Sequence, residues 1–262
     1  MVYIDKTRCI GCLRCVRVCP MGVLVPGTGD RTPEVHPRRR CIQCMHCAAG
    51  CPNMAVRFEE LPPEEVYPEL PETASSLEKL IRLRRSVRSY SDQLPPKELI
   101  QKALDAANFA PSGKNQRAYR YTVVWGKKRV AALRDKCLSL CAEYGEAPEL
   151  NKLFANGTDL LTCGAPCMIV AWSPDGCLNP VLDPAVSMAE LELLLVQEGL
   201  STCWGGYLRQ VSDRFPEVRK DLGLGENDRV RCALMVGYAK GERYLRTVWR
   251  PAAEALWLEG EE

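Results

Sequence analysis

Residues 9–20 read CIGCLRCVRVCP and residues 41–52 read CIQCMHCAAGCP. The same C-x2-C-x2-C-x3-C-P run occurs twice in the first fifth of the chain. Thiolates at that spacing are iron–sulfur ligands, so the repeat predicts two clusters and electrons handled one at a time. Zinc also accepts four thiolates from C-x2-C pairs. Zinc sites, however, join two such pairs across a longer gap, whereas here a third cysteine and then a fourth follow directly. A disulfide framework fits less well again. The cysteines number 15, an odd count, and the opening MVYIDKTRC lacks the apolar core of a secretory signal. The thiols therefore imply a reducing compartment, with a cytoplasmic chain expected.

Residues 1–58 resemble a bacterial two-cluster ferredoxin on the strength of these two runs. In such proteins the fourth cysteine of each run ligates the other cluster. The resemblance thus implies two 4Fe-4S clusters, one held by Cys9, Cys12, Cys15 and Cys51, the other by Cys41, Cys44, Cys47 and Cys19.

Working outward, the 262 residues suffice for one sizeable core and a small satellite. A cluster domain of this size leans on its metal for stability. The net charge of +2 argues against nucleic acid or an anionic membrane as partner. No apolar stretch reaches the roughly 20 residues of a membrane helix. Residues 59–76 (EELPPEEVYPELPETASS) hold four prolines among carboxylates and predict a semi-extended linker. Ser75 and Glu78 then form a capping box for a helix through Leu77, Leu80 and Ile81. A second helix is predicted from Pro95-Pro96 to Asn108, with Ile100, Ala103, Leu104 and Ala107 on one face. Strands are expected at Tyr119–Trp125, Cys167–Trp172 and Arg231–Tyr238, and helices at Ala131–Tyr144 and near Val211–Leu222. Asp183 is read as the cap of a further helix, with Pro184 at its first position, running to Gln197. Helices and strands mix without a βαβ rhythm, which predicts α+β with a central sheet.

Four segments of residues 77–262 resemble the nitroreductase family of FMN enzymes, in the family's order. They are Arg84-Arg85-Ser86-Val87-Arg88-Ser89-Tyr90, Ala110-Pro111-Ser112-Gly113-Lys114-Asn115, Gly199 to Gly206 (GLSTCWGG), and Val236-Gly237-Tyr238 with a late Arg250-Pro251. The resemblance implies a central mixed sheet flanked by helices, an FMN site and a homodimer. Two departures bear on the substrate side of that site: Arg117-Ala118-Tyr119 stands where the family writes Gln-Pro-Trp, and Ala239 follows Tyr238 in place of Pro.

FMN offers a dianionic phosphate, a polar ribityl chain and a flat ring. The paired guanidinium groups of Arg84 and Arg88 suit the phosphate bidentately, with Ser86 between them; alone, the same segment reads as the cationic end of a helix. Arg85 either contacts the flavin or faces solvent. Arg250 would be the second phosphate or ribityl cation. Pro111 and Ser112 belong to a turn laid along the flavin by the resemblance, with Asn115 supplying donor and acceptor. Cys203, Trp204, Gly205 and Gly206 would bring backbone N–H groups to the ring, Gly205 to N5 specifically. No side chain is assigned as catalyst, the flavin itself doing the chemistry. The seven cysteines outside the runs sit mostly in apolar surroundings and read as small buried hydrophobes. Of the two histidines, His46 lies inside the second run and flanks a cluster. Arg38-Arg39-Arg40, just before Cys41, is either a solvated loop or a docking point for an acidic carrier.

The expected activity is therefore electron transfer from a ferredoxin, flavodoxin or NAD(P)H donor through clusters and FMN. The acceptor would be a small conjugated molecule of nitroaromatic, quinone or enone type. The reverse flow uses the same parts. The alternatives are a non-catalytic electron-transfer subunit and a flavin- or cofactor-modifying enzyme on the same fold.

Overall fold

The computed structural model describes residues 1–241, 244 and 246–258. The chain divides into two compact units, Met1–Leu83 joined by the described residues after Gly241, and Arg84–Gly241.

In the first unit the two cysteine runs fold as copies. Each position of one recurs 32 residues on in the other, Cys9 as Cys41 and Cys19 as Cys51. Strand β1 (Val2–Ile4), helix α1 (Arg14–Arg17) and strand β2 (Leu24–Val25) are followed by β3 (Glu34–Val35), α2 (His46–Gly50) and β4 (Val56–Phe58). The copies interlock through antiparallel pairs, β1 with β4 and β2 with β3. Backbone conformation repeats with the sequence. Leu13 (φ 58°) and Met45 (φ 62°) lead into the two helices from the left-handed region. Gly11 and Gly22 share that region with their counterparts Gln43 and Met54. Holding a side chain at positive φ costs energy, so the turn around the thiols is imposed by its surroundings. Val2, Leu24, Met45, Val56 and Phe58 fill the core beneath.

The expectation for residues 59–76 is corrected here. The segment carries a short helix α3 (Pro63–Val66), opened by a proline as the first helical turn permits. Val66 is fully buried, and the Tyr67 hydroxyl donates to the Val56 carbonyl at 2.9 Å. One valine and one tyrosine suffice to fasten an acidic, proline-rich stretch to the cluster unit. Helix α4 (Ser76–Leu83) follows, and the Ser75 hydroxyl accepts the Glu78 N–H at 3.1 Å.

The second unit is a sheet between two helical layers. Its elements run α5 (Lys97–Ala107), β5 (Arg120–Trp125), α6 (Lys127–Glu143), α7 (Pro148–Ala155), β6 (Cys167–Pro174), α8 (Leu182–Gln197), β7 (Ser201–Trp204), α9 (Gly206–Arg214), α10 (Pro216–Asp221) and β8 (Asp228–Gly237). Strand order is β5-β6-β8-β7, each neighbouring pair antiparallel. The mixed character enters at the β7 edge, where Ser86 bridges Thr202 in parallel. Along β6, Cys167, Ile169 and Ala171 pack toward α5 and α8, while Met168 and Val170 join the layer of α6, α9 and α10. Burial of both faces explains the unbroken apolar run CMIVAW.

Two local readings change, and one strand is added. Asp183 lies inside α8, whose N-cap is Val181. The helix expected near Val211–Leu222 is two helices, because Pro216 opens α10 and Phe215 turns extended before it. Ser201–Trp204 is a strand although glycines flank it, since its edge pairs with β8.

Candidate functional site

Two cavities in the first unit are ringed by thiols. One is lined by Cys9, Cys12, Cys15 and Cys51, the other by Cys19, Cys41, Cys44 and Cys47. Each cavity thus takes three cysteines from one copy and the fourth from the other. Backbone N–H groups point at the sulfurs in matched pairs: Gly11 to Cys9 (3.4 Å) and Gln43 to Cys41 (3.4 Å), Val23 to Cys19 (3.2 Å) and Ala55 to Cys51 (3.2 Å). The left-handed turns aim them there, and such donors stabilise negative sulfur and tune a cluster's potential. Burial pushes the Cys15 thiol up to about 12, with Cys51, Cys12 and Cys9 acting in the same direction. Cys47 is raised further, by burial first and then by Cys44 and its neighbours. Such crowded thiols ionise only when iron compensates them. Among the described residues no three His, Cys, Asp or Glu side chains converge tightly enough for a single ion.

The segment after Gly241 closes the Cys51 side. Arg246 donates to the Cys51 carbonyl at 2.5 Å, Val248 is buried in the core, and the Tyr244 ring meets His46 edge-on at 5.1 Å. Arg250 also belongs to this unit, donating to the Cys44 carbonyl at 3.4 Å.

In the second unit, residues 84–88 lie along the β7 edge. The Val87 N–H donates to the Thr202 carbonyl at 2.8 Å, and Tyr90 bridges Ala239. This places Arg84, Ser86 and Arg88 beside Cys203. Burial raises the Cys203 thiol, opposed by the Arg88 guanidinium and a Ser86 hydrogen bond. Arg85 extends along the same segment, donating to the Arg84 carbonyl at 2.7 Å. Glu192, buried on α8, is the hub of this edge. Its carboxylate accepts from Thr202 Oγ1 (2.8 Å), Trp204 Nε1 (3.0 Å) and Arg84 Nη1 (3.2 Å). Sequence reasoning missed Glu192. Its one signal was a carboxylate within the apolar run LELLLV (191–196), a residue type that is buried only with partners.

The assignment of the Gly205 N–H to a flavin N5 is corrected. That N–H donates to the Ala233 carbonyl at 2.8 Å, because Gly205 still continues the β7–β8 ladder. The absent side chain has a packing reason, since a Cβ there would meet the Ala233 methyl at 3.3 Å. The open donors of the turn are those of the first turn of α9, starting at Gly206, which a helix leaves without internal partners.

Residues 111–117 form a separate, strained loop. Lys114, Asn115 and Arg117 all have positive φ, a conformation that costs energy and clusters at functional sites. The buried Asp183 carboxylate anchors the loop by accepting the Gly113 N–H at 3.0 Å and 3.2 Å. Ser112 accepts the Arg117 N–H at 3.1 Å, and the side chains of Pro111 and Asn115 are exposed. At the end of this stretch the Tyr119 hydroxyl is buried without a hydrogen-bond partner. An open cavity of about 630 Å³ lined by Pro148, Leu150, Arg214 and Phe215 contains none of these residues.

The sequence model of the nitroreductase family matches residues 81–238, more than half the chain. The chain belongs to the nitroreductase family. A 4Fe-4S dicluster domain matches residues 1–52. The chain is 28% identical over 166 residues to an Archaeoglobus fulgidus protein named as an NADH dehydrogenase/NAD(P)H nitroreductase, covering 63% of this chain and 86% of that one. Two solved folds match with TM-scores of 0.63 and 0.59. They are a Bacteroides fragilis nitroreductase with bound FMN, 23% identical, and a Desulfitobacterium hafniense nitroreductase with bound FMN, 25% identical. Each is covered in full and covers 71% of this chain. The protein is thus a nitroreductase-family oxidoreductase with an N-terminal 4Fe-4S domain. No helix among the described residues is long and apolar enough to cross a membrane.

Proposed function

We propose that the protein is an FMN- and iron–sulfur-dependent oxidoreductase of the cytoplasm that acts on a small conjugated acceptor. One observation carries the reading: the crossed thiol rings, built for one-electron cofactors, share a chain with a nitroreductase unit. Bound clusters would take electrons singly from a ferredoxin, flavodoxin or NAD(P)H donor, and bound FMN would deliver them in pairs to a nitroaromatic, quinone or enone. Two clusters fit the two rings. The chain's own residues have separable tasks. Arg88 supplies charge for the phosphate, with Ser86 beside it and Arg84 and Arg85 on the same segment. Glu192 fixes Arg84 and Trp204, while Cys203 backs the strand. Gly206 and the first turn of α9 offer N–H donors to the ring, and Asn115 on its anchored loop supplies a polar side chain. Arg250 is kept as a second phosphate or ribityl cation. A homodimer is supported by the apolar surface left open: Leu256, Trp257 and Leu258 are each more than four-fifths exposed, as is Phe109.

Anaerobic stopped-flow reduction tests the proposal. Wild type should show cluster bleaching before flavin bleaching with reduced ferredoxin. Cys12→Ala, confirmed by iron assay to lack cluster, should lose that flavin reduction while any direct NAD(P)H reduction survives. Unchanged ferredoxin-driven flavin reduction in that variant would remove the ring from the electron path.

A further inference from the structure

The two thiol rings differ in what surrounds their mouths. Residues 1–58 carry nine Lys and Arg against three Asp and Glu in a chain of net charge only +2. At the Cys9 ring Arg8 pairs with Asp5 at 3.7 Å and Arg17 donates to the Cys12 carbonyl at 3.1 Å, and Arg31, whose backbone and Cβ lie against Gly11, is a single exposed cation rather than a run. Beside the Cys41 ring, Arg38, Arg39 and Arg40 are exposed, and no ion pair to a carboxylate is seen for any of them among the described residues. Arg39 donates to the Gly22 carbonyl at 2.9 Å, which fixes the run beside the ring's edge. The cavity wall there is formed by Met21 and Ile42, themselves 47% and 56% exposed. An apolar centre over a thiol ring, rimmed by uncompensated guanidinium groups, is the pattern of a transient protein interface.

We infer that the face formed by Arg38, Arg39, Arg40, Met21 and Ile42 is the docking surface for an acidic one-electron carrier protein, and that the Cys19/Cys41/Cys44/Cys47 ring is the port through which such a carrier exchanges electrons. The inference rests on the proposed function. In each encounter the reduced carrier loses one electron and the cofactor in the ring gains one, with no bond made or broken. The carrier's carboxylates would meet the guanidinium rim and its apolar edge the Met21 and Ile42 side chains. Rim charges of this kind act on encounter and salt dependence.

The test is the affinity of the cluster-loaded full chain for an acidic flavodoxin, measured calorimetrically at low salt and at about 0.3 M salt, where screening acts within a few ångströms. Arg38→Glu with Arg40→Glu should weaken low-salt binding by about tenfold or more and flatten the salt dependence. Lys6→Glu with Arg31→Glu removes the same charge elsewhere in the unit and should change it by less than about threefold. Equal losses in both pairs, or no loss in the first, overturn the inference, as does binding of anionic vesicles or duplex DNA that falls while flavodoxin binding does not. Should charge reversal lower the iron content, Arg38→Gln with Arg40→Gln is measured instead and judged by the same criteria. Reduction of the same variants by a cationic viologen, which needs no basic rim, should keep its wild-type rate. Viologen reduction of the clusters without reduction of the flavin would defeat the electron route while leaving the docking result to stand by itself.

Discussion

Arg84 and Arg88 carry the same charge in different surroundings. Arg84 is held at 3.2 Å by the buried Glu192 carboxylate, whereas among the described residues Arg88 has no carboxylate partner and donates to the Ser86 carbonyl at 3.4 Å. A phosphate dianion gains most from the cation that is not already matched. Arg88→Ala should therefore weaken FMN about tenfold or more while leaving riboflavin affinity nearly unchanged, as fluorescence titration of both ligands would show. Equal losses would mean that Arg88 supports the fold. Arg84→Ala should act differently, leaving Glu192 buried with one charged partner fewer. A cost of about 1–3 kcal/mol is expected, read as a lower melting temperature of the flavin unit even without ligand. The basic motif was legible because its residues are neighbours in the chain. The division of labour within it was not, because Glu192 arrives from 108 residues away.

At the scale of elements, one motif residue acts through the side chain it lacks and one residue outside the motifs through the backbone it holds. Gly237 ends β8 where a Cβ would lie 2.7 Å from Pro166 Cδ and 3.0 Å from the Tyr90 ring. Proline and a buried ring cannot step aside, so Gly237→Ala should destabilise by about 1–3 kcal/mol, measured by urea unfolding of the flavin unit. An unchanged midpoint would show that β8 has room to shift. Asp183→Ala should instead free the 111–117 loop from α8 and lower FMN and riboflavin affinity together, the opposite of the Arg88 pattern. Loss of FMN alone would place Asp183's influence on the phosphate. The inner strand Cys167–Pro174 was readable from its unbroken apolar run and the helix Lys97–Ala107 from its apolar period. Asp183 was misread because a carboxylate before proline signals a helix start, while its actual partner, the Gly113 N–H, is set by tertiary packing.

For the whole molecule, the decisive fact is that both flanks of the flavin unit belong to the cluster unit. Val66 and Tyr67 before it, and Arg246 and Val248 after it, fasten on residues of the ferredoxin-like core. No local pattern says which unit a returning segment joins, so composition alone read the first flank as a linker and the second as flavin domain. The two cysteine runs, by contrast, were plain to read because their spacing repeats within the chain, whereas their crossed grouping came only with the ferredoxin resemblance. Beyond that core, the exposed Leu256-Trp257-Leu258 stretch is the part that a second copy would cover. Replacing all three by alanine should shift the dimer toward monomer in light scattering at micromolar concentration with iron content unchanged. A monomeric wild type would remove the dimer from the proposal. The return of the chain to its starting unit also sets a timetable. The segment from Arg84 to Gly241 must leave the ribosome before Arg246 and Val248 can. At about 5–20 residues per second that interval is on the order of ten to thirty seconds. For all of it the eight thiols of residues 9–51 stand without the Arg246 bond to the Cys51 carbonyl and without Val248 in their core, so clusters formed in that interval would be held less firmly than in the finished unit.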